Sequence, residues 1–342
     1  MPPHCFGLIG YGHWGKNLAR TAANHPRGRL KVIADPGEKA QSAARAAHPD
    51  TNIVADAAVI FADSEITAVI ITSPAASHFA LASHVMESGK HVLITKPVTE
   101  TVEQAAQLRN IAARCGRTAV VDHTFLYHPC VARIKAALGE DWLGEPLVFD
   151  AVRTGLGIYK ADVDIIADLA VHDLAILDYL FGPAQAVSAH TYAAVAGFLP
   201  DNAAITLRYA SGLRAHVRSS WISPLKQRLS VLVGGKQMIV WDDGLGVERL
   251  RAFDAGVEPL GAPEAYGRAP LGYRNNAGRV LTTPDIEPLR GEIDDLIACM
   301  ESGATPVSSL TAAHRVMATV AACQTSAAHD GAFVQLAKGA PI

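Results

Sequence analysis

The feature that most constrains this chain is residues 5–20, CFGLIGYGHWGKNLAR. An apolar stretch over 6–9 ends in Gly10-Tyr11-Gly12-His13-Trp14-Gly15, and a helical pattern follows at once. A strand, a G-x-G-x-x-G turn and a helix open a dinucleotide-binding βαβ unit. The first glycine permits the tight turn, the second lets backbone approach a pyrophosphate, and the third lets helix and strand pack closely. The helix N-terminus offers N–H groups to the phosphates. Glycine-rich turns alone are common and often merely structural. Here a second strand over 30–34 ends at Asp35, about 20 residues past Gly15, where an acidic side chain meets the adenosine ribose hydroxyls. That context favours the nucleotide reading.

The alternation continues. Helical patterns over 38–47, 78–88 and 101–114 alternate with short apolar strands over 52–54, 68–71, 91–94 and 118–121, and Asp56 can cap the short helix running to Phe61. The 68–71 strand runs into Thr72-Ser73-Pro74, where proline forbids further pairing and begins a loop. Such loops at carboxyl strand ends line the ligand crevice of a doubly wound sheet. The next strand leads to Thr95-Lys96-Pro97. The alternation stops near residue 122, so the expected division is a Rossmann domain over 1–122 and a second domain over 123–342.

With 342 residues the chain has room for about two cored domains. A net charge of −3 and the lack of basic runs argue against a nucleic-acid partner. No apolar stretch reaches membrane-spanning length and no leader pattern is present, so a cytoplasmic protein is expected. The five cysteines lie far apart, as suits reduced thiols. The 14 histidines are scattered, and pairs such as His78/His84 or His123/His128 lack supporting carboxylates, so no metal is expected.

The second half opens with Asp122-His123-Thr124-Phe125-Leu126-Tyr127-His128-Pro129, a helix to about Leu138 and a strand over 147–153 that ends at Arg153. Apolar residues at 165, 166, 169, 176, 177 and 180 predict a helix stopped by Gly182-Pro183. Asp168 and His172 then stand i, i+4 on one helix face, and Asp173 and Asp178 read as ordinary helix carboxylates. Strands over 185–192, 202–209, 213–221, 227–233 and 237–242 predict an antiparallel α+β layer. Lys226 is expected in a loop between strands, and 251–285 as a long loop over the sheet. Helices over 288–302 and 310–329 close the chain.

The order G-x-G-x-x-G, Thr-x-Pro at a strand end, Gly-Lys-His-Val and then Lys-Pro resembles the Gfo/Idh/MocA oxidoreductases, over nearly the whole chain. The fold it implies is an α/β Rossmann domain plus an α+β C-terminal domain with a large open, mainly antiparallel sheet. In that family the lysine usually sits in Glu-Lys-Pro, and here Thr95 replaces the glutamate. A cis Lys96–Pro97 bond is an option only proline makes cheap. The resemblance implies NAD as cofactor, with NADP open, held by Gly10, Gly12, His13, Trp14, Gly15, Asp35, Thr72, Ser73, Pro74, His78, Lys96 and Pro97. It implies catalysis by Lys96, Asp168 and His172. The candidates for substrate contact are these three with His123, Tyr127, Arg153 and Lys226; each of these four has an equally good or better structural reading. The implied reaction is hydride transfer at a secondary alcohol carbon, with His172 as base. The opening GYGHWGKNLAR and the stretch SSWISPLKQR look most like members associated with nucleotide-sugar metabolism, an inositol or free sugar coming next as substrate. A homodimer or homotetramer through the open sheet is implied. The competing class is a non-catalytic NAD(P)-binding regulator, against which Lys96, Asp168 and His172 speak.

Overall fold

The computed structural model describes residues 4–157, 159, 163–261 and 271–336. The chain divides into two compact units, one of Met1–His128 with Ile286–Met317, the other of Pro129–Asp285 with Ala318–Ile342. In the first unit, β1 (His4–Ile9), α1 (His13–Ala23), β2 (Gly28–Ala34), α2 (Glu38–Ala47), β3 (Asn52–Val54), α3 (Ala58–Ala62), β4 (Ile66–Ile71), α4 (Ala75–Glu87), β5 (His91–Thr95), α5 (Val102–Cys115) and β6 (Ala119–Asp122) follow one another. The strands all run parallel in the order β3-β2-β1-β4-β5-β6. They read as continuous apolar runs because both faces are covered. Winding reverses between β1 and β4, and an open α/β sheet takes its ligand outside the carboxyl ends at such a point.

The second unit begins with α6 (Pro129–Ala137) and β7 (Pro146–Leu156), then a π-helical turn, Ile166–Ala170, that continues into α7 (Val171–Phe181). There follow β8 (Ala186–Tyr192), β9 (Asn202–Arg208), β10 (Arg214–Ser220), β11 (Ile222–Gly234), β12 (Met238–Asp242), β13 (Leu250–Phe253), β14 (Ala255–Pro259), β15 (Leu271–Asn275) and β16 (Arg279–Val280). The chain then forms α8 (Pro288–Ser302), α9 (Leu310–Ala327) and β17 (Val334–Gln335). Nine strands make one sheet, β16-β13-β12-β11-β7-β10-β9-β8-β17, antiparallel throughout except for the central parallel pair β7 and β10. Along β10, Ala215 and Val217 are buried while Arg214, His216 and Arg218 are exposed, the alternation of a sheet with one open face. No helix among the described residues is long and apolar enough to cross a membrane.

Three sequence expectations differ from this structure. The division is not a single cut near residue 122, because α8 and the start of α9 belong with the first unit. Leu289, Ile293, Leu296 and Ile297 pack with Phe6, Leu8 and Leu18 on one side of the parallel sheet, and Leu310 and Ala313 join Val85, Val92 and Leu108 on the other. Residues 251–285 are not one loop: β13 and β16 extend the large sheet and β14 pairs with β15, while 262–270 lie outside the described residues. The Gly, Pro and Ala content of this stretch hides short strands, of which β15 and β16 have no buried residue while β13 buries Leu250 and Ala252. Lys226 lies within β11 and not in a loop; the pairing with β7 slips between Ile222 and Gln227, and this irregularity accommodates Pro224.

Candidate active site

The glycine-rich turn sits where β1 ends. Gly10 has φ +93°, and a Cβ there would lie 2.8 Å from the Ser73 nitrogen, so only glycine fits. A Cβ on Gly15 would collide with the Gly10 carbonyl and stand 2.7 Å from Thr72 Oγ1. Thr72 Oγ1 donates to the Gly10 carbonyl, locking the loop after β4 onto the turn. Gly12 has open space around its missing side chain, and no side chain caps the α1 N-terminus that it begins. His13 and Trp14 are exposed there. Open backbone at an uncapped helix N-terminus suits a pyrophosphate.

Asp35, at the end of β2, turns its carboxylate to the same place. Its Oδ2 accepts from the Tyr11 nitrogen at 2.6 Å and its Oδ1 from the Gly37 nitrogen at 2.8 Å. The predicted acid and the predicted turn are therefore joined by a hydrogen bond. These residues fit a dinucleotide.

The loops after β4 and β5 are held together by His78. It is buried, with Nδ1 2.9 Å from the Pro97 carbonyl oxygen and Nε2 2.7 Å from the Ser73 carbonyl oxygen. Burial lowers its pKa, against the pull of the two carbonyls. The Ser73 and Ser77 hydroxyls meet at 2.6 Å, and α4 starts directly after Pro74, one turn earlier than predicted. The Lys96–Pro97 bond is cis. Thr95, in place of a glutamate, is buried and donates its hydroxyl to the Ile71 carbonyl at 3.2 Å. Lys96 is half-buried, and its charge acts on Asp122 and His123.

Two substrate candidates are committed to the interior of the first unit. His123 is buried, with Nδ1 3.0 Å from Ser308 Oγ, and burial followed by the Lys96 charge pushes its pKa down to about 4. The Tyr127 hydroxyl donates to Asp295 at 2.8 Å and accepts from the Ser308 nitrogen at 3.3 Å.

In the second unit, Asp168 lies in the π-turn and His172 in the first turn of α7, both half-buried. The wide turn, not the 3.6-residue period, sets their alignment; such turns are frequent at functional sites. Asp164 braces it, with Oδ1 accepting from the Ala167 nitrogen at 2.8 Å and Oδ2 from Gln324 at 2.9 Å. Asp173, read as an ordinary helix carboxylate, instead forms a buried two-pronged ion pair with Arg153, both contacts 2.8 Å. Arg153 thus pins α7 to β7, one residue from His172, and is not placed as a solvent-facing substrate group. Lys226 is exposed.

Two groups escaped sequence reasoning. Asp122 ends β6 and accepts from the Trp14 indole and from Thr124, whose backbone nitrogen is 3.2 Å away. Glu292 is fully buried on α8. Its signal was present, a carboxyl inside the apolar stripe of Leu289, Ile293 and Leu296.

Comparison with known proteins agrees with this geometry. Residues 5–123 match the oxidoreductase family with an NAD-binding Rossmann fold, and residues 131–240 match the GFO/IDH/MocA C-terminal domain. An uncharacterized oxidoreductase of Escherichia coli, YdgJ, is 34% identical over 146 residues, 42% of this chain and 41% of that protein. The UDP-N-acetylglucosamine 3-dehydrogenase of Acidithiobacillus ferrooxidans is 32% identical over 179 residues, 52% of this chain and 54% of the relative. The matched stretch thus spans about half the length of these curated relatives. A solved structure of the latter enzyme superposes with TM-score 0.80 at 24% identity, covering 95% of this chain and 98% of that one. With both halves matched in chain order, and with the glycine-rich turn and its acid in place, the chain belongs to the Gfo/Idh/MocA family of NAD-binding oxidoreductases.

Proposed function

We propose that this protein is an NAD-dependent dehydrogenase, transferring a hydride between the nicotinamide and a secondary alcohol or ketone carbon of a sugar or nucleotide sugar. The observation that carries the reading is the joining of Asp35, the glycine-rich turn and the Thr72 loop at the carboxyl ends of β1, β2 and β4, with Lys96 at the end of β5 in the same sheet. The relative from Acidithiobacillus ferrooxidans supports a nucleotide-sugar substrate.

When bound, the nicotinamide supplies the hydride acceptor or donor. His172 takes the alcohol proton as the carbonyl forms, since imidazole exchanges protons near neutrality. Lys96 hydrogen-bonds the reacting oxygen and stabilises its negative charge. Asp168 orients the imidazole or holds a neighbouring hydroxyl. His78 fixes the backbone on which Lys96 stands, and the Arg153–Asp173 pair fixes the helix that carries His172. Lys226 is a candidate for a substrate phosphate or carboxylate. The protein acts in the cytoplasm as a homodimer or homotetramer through the open face of the large sheet.

The test is a panel of UDP-sugars, free sugars and inositols with NAD⁺ and NADP⁺, read by absorbance of the reduced nicotinamide. Turnover with a UDP-sugar or sugar is expected; NAD⁺ binding without turnover of any of them favours the regulator. On the substrate found, Lys96→Ala and His172→Ala should each lower kcat by about 10²–10⁴. The double variant should be far less impaired than the product of the two. A His172→Ala enzyme with unchanged kcat, chemistry being rate-limiting, removes His172 from the role of base.

A further inference from the structure

Two described carboxyl side chains have no solvent exposure, Asp201 and Glu292. Asp201 is well supplied with donors, from the Ala194 and Val195 nitrogens, the Tyr159 hydroxyl and the Asn202 amide. Glu292 is not: among the described residues no donor reaches either of its oxygens. Its hydrogen-bonding neighbour is the Asp122 carboxyl. Two carboxyl groups face each other only with a proton between them.

Among the described residues no cation pairs with either Glu292 oxygen. From β6 comes Asp122; from its own helix comes Asp295, which accepts from Tyr127, the Val307 nitrogen at 3.0 Å and Cys299. The turn Thr124–Tyr127 contributes Tyr127 itself. Arg20 of α1 pairs with Glu287, just before α8, and His25, two residues past α1, pairs with Asp294. Burial raises the Asp122 pKa as well, but the donors Thr124 and Trp14 and then the Lys96 charge pull it back down. Burial first, then the charges of Asp122 and Asp295, raise the Glu292 pKa well above the ordinary carboxyl range. Asp122 in turn grips the Trp14 indole within the glycine-rich turn.

We propose that Glu292 is a positioning residue for the nucleotide site: as a neutral acid it donates its proton to Asp122, and so holds the carboxylate that anchors Trp14 beside the α1 N-terminus. The inference rests on the nucleotide site described above. Loss of the proton would set two like charges in contact, and Asp122 would relieve them by turning away from Trp14.

The experiment measures NADH binding by calorimetry for the wild type, Glu292→Gln, Glu292→Leu, Trp14→Phe and the Trp14→Phe/Glu292→Leu pair. Glutamine keeps a donor toward Asp122, and its affinity should stay within roughly threefold of wild type; leucine should weaken binding by about tenfold. The double variant should bind no worse than Trp14→Phe alone, because both changes break one anchor. Wild-type affinity should fall at alkaline pH, and glutamine should abolish that fall. The infrared band of a protonated carboxyl should be absent from Glu292→Gln. With a folded-state pKa above the unfolded one, wild-type stability relative to Glu292→Gln declines as pH rises, which gives a second reading if the leucine variant does not fold. Unchanged affinity in Glu292→Leu, multiplying losses in the double variant, or an intact infrared band in Glu292→Gln overturns the proposal. A wild type that does not bind NADH overturns the nucleotide-site reading instead.

Discussion

Asp35 shows how a single side chain can set cofactor choice. Two backbone N–H groups hold its carboxylate against the glycine-rich turn, so it cannot easily swing aside from a ribose 2′-phosphate. Like charges about 4 Å apart cost on the order of 1–4 kcal/mol, depending on the effective dielectric. NAD(H) should therefore bind roughly tenfold or more tightly than NADP(H), and Asp35→Ser should narrow that ratio. Titration of both reduced cofactors by their fluorescence checks this, and tighter NADPH binding by the wild type would remove Asp35 as the determinant. Asp35 was legible in the sequence because its role follows from its distance to the glycines. His78 was legible only as a position, since its carbonyl partners lie five and nineteen residues away.

At the scale of the element, α7 depends on an ion pair that its sequence does not advertise. Asp-Leu after His172 looks like any helix carboxylate; Arg153 lies on a strand twenty residues earlier. Removing one partner of a buried pair leaves an uncompensated charge, at a cost of about 3–5 kcal/mol. Asp173→Ala should lose about that much in urea unfolding and should also lower kcat by loosening the helix under His172. Asp173→Asn, which keeps the shape and one acceptor, should be milder. A variant at wild-type stability would mean that Arg153 is held by other groups.

Two properties belong to the whole molecule. Buried His123 and the largely buried His91 both have pKa values lowered to about 4, chiefly by desolvation, from an ordinary 6.5. The unfolded chain therefore binds protons that the folded chain refuses, so this contribution is fully present above about 6.5 and is lost as pH falls toward about 4. Melting temperature should fall across that window, and His123→Gln should flatten the fall; an equally steep curve in the variant would clear His123. The open sheet face, with Arg214, His216 and Arg218 exposed along β10, is the proposed oligomer surface. Light scattering at micromolar concentration should give a mass of at least two chains, and a monomer would end that proposal.

What the sequence determined by itself was everything carried by local pattern. Strand–turn–helix chemistry around Gly10 and Gly15, apolar runs long enough for parallel strands, and the acid at Asp35 follow from short-range steric and hydrophobic rules. Tertiary structure decided what depends on residues far apart in the chain. The apolar stripes of α8 and α9 say that these helices are buried, but not against which sheet; that follows from which faces of the parallel sheet would otherwise stay open. Glu292 could be seen as a carboxyl in an apolar stripe, yet its partner Asp122 is set only when α8 packs on β6. The Arg153–Asp173 pair likewise exists only once α7 lies on its sheet. Patterns of period two or 3.6 encode which side of an element is buried, whereas long-range polar pairing is an outcome of packing.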